Sequence, residues 1–258
     1  MHNHSARSPK AGWKWASASI LLALLCSTLR AQDPCPVEIK LLLSPASLQP
    51  AVSSLDFRKE TTGRVYFFDT ENLSLLAQGV IVRIRQGAKN DLTVKVRLPE
   101  GNKQVDTSNL RANFACEIDR TESGASISYS VDQKYQDARV PDTGADLFRA
   151  LTPQQKDLLK EANVVINWSN VKRLTSIRST TWKTSSNADF RKLTLEYWEY
   201  PAGSLLELST KTAADEWESR DAALHRVVKL KGLALSASQQ TKTTTVLRRS
   251  KGDGSPPQ

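Results

Sequence analysis

Residues 66–98, YFFDTENLSLLAQGVIVRIRQGAKNDLTVKVRL, contain the pattern from which the rest of the architecture can be worked out. Their segments VIVRIR and LTVKVRL both alternate apolar residues with polar or cationic ones. Because strand residues two apart point to the same face, each segment predicts a strand with one apolar and one charged face. The first charged face carries Arg83 and Arg85, and the second carries Lys95 and Arg97. The intervening QGAKND predicts a hairpin turn.

Four cations on neighbouring strands repel one another, so an anionic partner is expected to compensate them. The alternative is a solvated sheet face, since Lys and Arg are common on exposed strands. Two consecutive strands with the same pattern favour the anionic partner, and so do carboxylates at the same spacing elsewhere. These carboxylates are Glu38 in VEIKLLL, Glu117 and Asp119 in FACEIDR, Glu196 in RKLTLEYWEY and Glu207 in SLLELST.

The segments that contain these carboxylates are themselves predicted strands, and residues 171–183 predict another that carries Arg178. Residues 121–141 are interpreted as irregular. Helices are predicted after Asp69-Thr70, over residues 145–162 with a break near Pro153, and in the amphipathic run before Gly232. About eight strands with charged inward positions predict an α+β fold. Its core is an eight-stranded antiparallel β-barrel, or tunnel, with a polar lumen and flanking helices.

The N-terminus has the layout of a secretory signal peptide over residues 1–31, with basic residues before a short apolar run. The run is too short for a comfortable membrane span, which leaves an uncleaved anchor as the weaker alternative. We therefore expect a secreted or periplasmic protein without a stable membrane anchor after cleavage. Residues 32–248 are predicted to form the tunnel domain, with a short strand in TTTVLR, and residues 249–258 a disordered basic tail.

Cleavage after residue 31 would leave two cysteines, Cys35 and Cys116. Two lone cysteines in an oxidising compartment often pair, and alternation places both on the apolar faces of their strands. A Cys35–Cys116 disulfide is therefore a candidate, with two buried free thiols as the alternative.

Net charge and motif content narrow the classes of function. The chain carries +9, of which four charges lie in residues 1–31. The remaining excess favours anionic ligands but is weaker than that of a nucleic-acid binder. His225 is the one histidine after the predicted cleavage point, which argues against a zinc site. The sequence contains neither a Gly-x-Ser-x-Gly elbow nor a Walker-type loop.

Four motifs resemble the CYTH, or triphosphate tunnel metalloenzyme, superfamily. YFFDTENLSLLAQG resembles its tyrosine–aspartate–threonine strand and the following helix. VRIR and TVKVR resemble its Arg-x-Arg and lysine strands, and CEID resembles its alternating acidic strand. LLELST, followed by a long helix ending in Gly-Leu, resembles the acidic strand and helix of its second half. The likeness covers roughly residues 36–248, and the block from Tyr66 to Arg97 is its most specific part.

The resemblance implies a tunnel in which basic residues hold a triphosphate and carboxylates hold one or two divalent metals, Mg²⁺ or Mn²⁺. Mapped onto this chain, the implied phosphate-binding residues are Lys40, Arg83, Arg85, Lys95, Arg97 and Arg178. The implied metal ligands are Glu38, Glu117, Asp119, Glu196 and Glu207. No catalytic base is identified among them.

Two departures from the family pattern leave the function open. Pro36 stands where the family's first strand has a glutamate, and Ser209 stands where its late strand often has another. Hydrolysis of inorganic triphosphate or a related organic triphosphate is the first hypothesis. A non-catalytic, extracytoplasmic binder of polyphosphate or another anion is the alternative that these two residues favour. A nucleotidyl cyclase ranks last, because nothing in the sequence marks an adenine pocket.

Overall fold

A computed structural model of the protein describes Met1, Val105, Phe190 and residues 35–99, 114–185 and 192–251. Most of the predicted signal peptide and residues 252–258 of the predicted tail lie outside the described residues. All the elements below belong to the unit formed by residues 34–258.

Nine strands close into a barrel in the order β1-β5-β6-β4-β3-β2-β7-β8-β9. The strands are β1 Val37–Leu43, β2 Phe57–Asp69, β3 Val80–Gly87, β4 Asp91–Pro99, β5 Phe114–Thr121, β6 Gly124–Lys134, β7 Lys172–Thr184, β8 Leu193–Tyr200 and β9 Gly203–Thr212. The predicted closed barrel is confirmed. It is mixed rather than fully antiparallel, because β1 runs parallel to β5.

The strand missing from the prediction is β6, which lies within the segment interpreted as irregular. Its sequence GASISYSVDQK is polar overall, but Ile127, Tyr129 and Val131 alternate with polar residues and pack on the outer side of the barrel. Serines such as Ser128 and Ser130 line the lumen instead. The sequence pattern missed this strand because its inward residues are mostly small serines, and not the charged residues that alternate with apolar ones in β3 and β4.

The helices cover the barrel wall and fill one of its ends. They are α1 Leu48–Ser54, α2 Ser74–Ala77, α3 Gly144–Ala150, α4 Pro153–Glu161, α5 Trp217–Leu230 and α6 Lys242–Ser250. Leu147 of α3 and Leu158 of α4 pack on the apolar faces of β3, β4 and β6. Leu224 of α5 packs on those of β1, β8 and β9. None of the helices in the described ranges is long and apolar enough to cross a membrane.

Local sequence explains where several helices begin and end. The buried Asp69 carboxylate accepts hydrogen bonds from the backbone N–H groups of Leu75 and Leu76, both at 2.9 Å, and so caps α2. Gly79 ends that helix with a φ of 74°. The predicted break near Pro153 is confirmed, since Pro153 begins α4 behind a capping box.

The strand predicted in TTTVLR is wrong, because these residues lie in α6. The Thr241 side chain caps this helix by accepting from the backbone of Thr244. Val246 and Leu247 pack with inward residues of several strands, including Phe67 and Trp198. An apolar plug therefore fills one end of the barrel, and burial of these side chains favours the helix over the β-propensity of its threonines.

The candidate disulfide is present in the structure. Cys35 and Cys116 are bonded, with their Cα atoms 5.3 Å apart. The bond ties the residue before β1 to β5, the strand that pairs with β1 in parallel. It closes a loop with a sequence separation of 81 residues.

Candidate functional site

The barrel encloses a cavity of about 690 Å³ whose wall is polar and charged. Strand alternation turns the apolar side chains outward and the charged ones inward, as the repeat of two predicts. All the predicted site residues except Asp119 and Arg178 line this cavity, and Asp119 lies against it through contacts with Lys40, Lys95 and Arg97.

Three carboxylates converge at one level of the lumen. Ligand atoms of Glu38, Glu117 and Asp119 all lie within 4.8 Å of one another. The parallel pairing of β1 with β5, which sets Glu38 opposite Asp119, creates this convergence. Carboxylate oxygens are the ligands that hard divalent cations prefer, so this triad fits such an ion.

Lys40, Lys95 and Arg97 form ion pairs with the carboxylates of the triad. Asp119 is buried and accepts from Lys95 at 3.0 Å, from Arg97 at 3.1 Å and from Lys40. Lys40 also lies 2.9 Å from Glu38. The cluster is therefore a network in which each basic residue contacts an acid, and a bound phosphate chain would have to share these cations with the carboxylates.

The pKa values of the triad differ because its members face different neighbours. Burial alone would raise the pKa of Glu38, but the ammonium groups of Lys40 and Lys211 lower it to about 2. The pKa of Asp119 is held well below its ordinary value by Lys40, Lys95 and Arg97, which outweigh its burial. Burial and the adjacent Glu38 raise the pKa of Glu117. Glu117 is therefore the member of the triad that loses its proton least readily.

A second group of cations in the lumen consists of Arg83 and Arg85, whose side chains are paired to different extents. Arg85 pairs with Asp91 through two hydrogen bonds of 2.7 and 2.6 Å. Arg83, the residue two positions earlier, has a buried Nε that lacks a hydrogen-bond partner among the described residues. The buried Thr93, which pairs with Arg83 across β3 and β4, has an Oγ1 that likewise finds no partner in the described part of the chain. Burial and the Arg85 cation lower the pKa of Arg83.

Unsatisfied buried donors are uncommon in folded proteins and call for a specific explanation. Arg83 and Thr93 both line the cavity wall, although the two unpaired atoms themselves are buried. An anionic oxygen in the cavity would compensate the charge of the Arg83 guanidinium. This part of the lumen is therefore the strongest candidate for anion binding.

Glu196 and Glu207 face each other across β8 and β9 but do not join the triad. Lys242, the first residue of α6, lies between them, with its Nζ 2.9 Å from Glu207 and also bonded to Glu196. Lys242 was not predicted as a site residue. Its flanking threonines suggested a strand, and only the tertiary position of α6 brings it into the lumen.

Arg178 was predicted to bind phosphate, and the structure contradicts this placement. It is exposed and points away from the cavity, whereas its neighbour Ser179 lines the wall. The inward positions of β7 are the odd-numbered ones, because Ile177 packs with the plug and Thr181 faces the lumen. Because side chains alternate along a strand, an error of one residue exchanges its inward and outward positions.

A second cavity of about 900 Å³ adjoins the first at the level of the triad. The two share Pro36, Glu38, Ser209 and Lys211 in their walls. Lys183 and Lys192 also line it. The wall of this second cavity therefore carries three lysines, Lys183, Lys192 and Lys211, and two carboxylates, Glu38 and Asp215.

The model of the CYTH domain family matches residues 36–241, and the chain belongs to this family. It is the family of triphosphate tunnel proteins to which the motifs point. Among similar solved structures is an adenylyl cyclase candidate from Hippeastrum with a dominant triphosphatase activity. It is 20% identical with a TM-score of 0.57, and the match covers 82% of this chain and 94% of that one.

An adenylate cyclase candidate from Bacillus halodurans is 16% identical with a TM-score of 0.55, over 82% of this chain and 96% of that one. At these identities the likeness shows the shared tunnel fold. No curated protein matches the chain.

Proposed function

We propose that the protein hydrolyses inorganic triphosphate or a related organic triphosphate in its tunnel, with Mg²⁺ or Mn²⁺ bound at Glu38, Glu117 and Asp119. The observation that carries the proposal is a single cavity whose wall contains two members of the carboxylate triad, Glu38 and Glu117, together with Arg83, a cation whose buried Nε is unpaired among the described residues. Membership of the CYTH family supports a triphosphate-type ligand.

Each group of lumen residues has a distinct task in this proposal. Arg83 supplies positive charge on the cavity wall for an anionic oxygen, and Arg85 adds charge beside it. Lys95 and Arg97 contact both the triad and the open cavity, so they can hold phosphate oxygens next to the metal. Glu38, Glu117 and Asp119 would hold the divalent ion, and that ion would supply positive charge against the negative charge that develops on the phosphate during hydrolysis.

The test compares tripolyphosphate, ATP and thiamine triphosphate as substrates of the purified protein that lacks residues 1–31. Phosphate release is measured with Mg²⁺, with Mn²⁺ and with a chelator. We expect metal-dependent release that Lys95→Ala lowers by about two orders of magnitude, because a charged hydrogen bond to the reacting group is lost. Lys229→Ala, an exposed lysine on α5, is the matched control and should retain full activity.

The same experiment separates the alternatives. Binding of tripolyphosphate without release would favour an extracytoplasmic anion binder, which the absence of carboxylates at Pro36 and Ser209 makes the second candidate. Formation of cyclic AMP from ATP would indicate a cyclase. If the protein neither binds nor cleaves any of the three compounds, the proposed function is wrong.

We also propose that the protein acts outside the cytoplasm, as a secreted or periplasmic protein. The signal-like pattern of residues 1–31 and the Cys35–Cys116 bond support this location. Edman sequencing of the protein isolated from its native cells tests the proposal. A mature N-terminus at Gln32 is expected, and retention of Met1 would contradict cleavage.

A further inference from the structure

We propose that the Lys242 ammonium takes the place of a second divalent cation in the tunnel, so that the protein binds one metal ion and not two. The proposal rests on the proposed metal site at the triad. It concerns the other pair of carboxylates, Glu196 and Glu207, which the family resemblance assigned to metal binding.

The position of Lys242 is that of a cation held between two acids. Its side chain is 7% exposed, and that of Glu207 is 8% exposed. The ammonium contacts both carboxylates and also lies 4.6 Å from the centre of the Trp198 ring. An aromatic face adds to the attraction of a cation at a desolvated site. The three contacts surround the ammonium on several sides.

The hydrogen bonds of Glu196 leave little room for a metal ion. One of its oxygens accepts from Ser179 at 2.9 Å and from Trp198 at 2.8 Å, and the other accepts from Lys242. The pKa of Glu196 reflects this arrangement. Burial would raise it, but Lys242 and the two neutral donors lower it to about 2. A divalent ion that prefers six oxygen ligands would find one carboxylate here already bonded at both oxygens.

The backbone of α6 fixes Lys242 in this position. Thr241, which caps the helix, accepts a hydrogen bond of 3.1 Å from Arg97 inside the lumen. Further along the same helix, Val246 and Leu247 are buried in the apolar plug. Moving the ammonium out of the lumen would therefore expose apolar surface and leave the buried Glu207 and the half-buried Glu196 facing each other without this cation.

The consequence is a difference between the two acidic groups of the tunnel. The triad has ligand atoms that converge within 4.8 Å and can accept a metal from solution. The Glu196–Glu207 pair already holds a cation that belongs to the chain, at every metal concentration. Metal binding should accordingly saturate at a single site.

The number of bound ions can be counted directly with Mn²⁺ alone, by equilibrium dialysis and by the loss of the free-ion electron paramagnetic resonance signal. We expect one Mn²⁺ per wild-type chain. Lys242→Ala should bind a second ion, because removal of the ammonium frees Glu207 and the Glu196 oxygen that it contacts. Lys242→Ala combined with Glu207→Gln should return to one ion, because the second carboxylate charge is then absent.

Lys251→Ala provides the matched control, since it removes a lysine just beyond the same helix but outside the lumen. It should bind one ion. The wild-type count needs no variant and decides the matter even if Lys242→Ala does not fold. Two ions per wild-type chain would overturn the inference and leave the proposed function standing. Absence of Mn²⁺ binding to the wild type would instead contradict the proposed metal site itself.

Discussion

Replacing Asp119 by asparagine tests the charge network of the lumen with almost no change in shape. The Asp119 side chain is 1% exposed and accepts from Lys95, Arg97, Ser128 and Lys40. An asparagine at this position would keep a carbonyl oxygen but lose the negative charge. Three cations would then face one another, with Glu38 and Glu117 as the carboxylates beside them.

Breaking a buried ion pair by removing one partner costs about 3–5 kcal/mol. The side chains of Lys40, Lys95 and Arg97 are 13%, 14% and 17% exposed, so water in the lumen screens them to some extent. We therefore expect the lower end of this range, about 3 kcal/mol of unfolding free energy. For a domain of this size that corresponds to a fall in Tm of about 6–12 °C.

Urea unfolding of the metal-free protein, followed by circular dichroism, measures this loss. Asp132→Asn is the control, because Asp132 is 49% exposed and lies 3.6 Å from Arg85, so it should cost under about 1 kcal/mol. The fold lowers the pKa of Asp119, so its stabilisation is present above the ordinary value of 3.8 and is lost as the pH falls through the folded value. The two proteins should therefore converge in stability in acid. Equal stability of Asp119→Asn and wild type at pH 7 would refute the reasoning.

Three further changes should affect stability in ways that the structure specifies. Replacing Cys35 and Cys116 by serine should lower the unfolding free energy by about 4 kcal/mol in urea titrations, since the bond closes a long loop; no loss would contradict this. Asp69→Ala should cost about 3 kcal/mol by the same assay, because buried backbone donors lose their acceptor, and a cost below about 1 kcal/mol would count against the capping role. Burial lowers the pKa of His225, but its hydrogen bonds, including that with Glu122, and the nearby acids raise it overall. His225 therefore stabilises the fold at pH values below its ordinary pKa of 6.5, and this stabilisation is lost as the pH rises through the pKa of the folded state. Thermal midpoints of wild type and His225→Gln should therefore converge at alkaline pH, and a gap that widens there would contradict the assignment.

The part of the lumen built from β3, β4 and β5 could be predicted from the sequence. Its strands are regular, and their apolar residues recur every second position without interruption. Once Val82 and Val94 are assigned to the outer wall, Arg83 and Lys95 must point inward. Here local periodicity carries the same information as the tertiary structure.

The remaining part depends on contacts that no local pattern encodes. Which face of β7 points inward is decided by the packing of Ile177 against the plug, and Arg178 therefore lies outside. The position of Lys242 depends on a helix that follows the barrel in sequence and returns to its interior. The proximity of Glu38 to Asp119 follows from a parallel strand pair where antiparallel pairing was expected.

Binding of tripolyphosphate in the absence of metal tests most directly whether the inward cations form an anion site. Isothermal titration calorimetry should compare wild type with Arg83→Met and with Arg178→Met, the same substitution inside and outside the barrel. We expect Arg83→Met to weaken binding by about tenfold or more, since a charged hydrogen bond is worth about 1.5–3 kcal/mol. Arg178→Met should bind as the wild type does. Equal affinities of the two variants would contradict the claim that phosphate binds inside the tunnel.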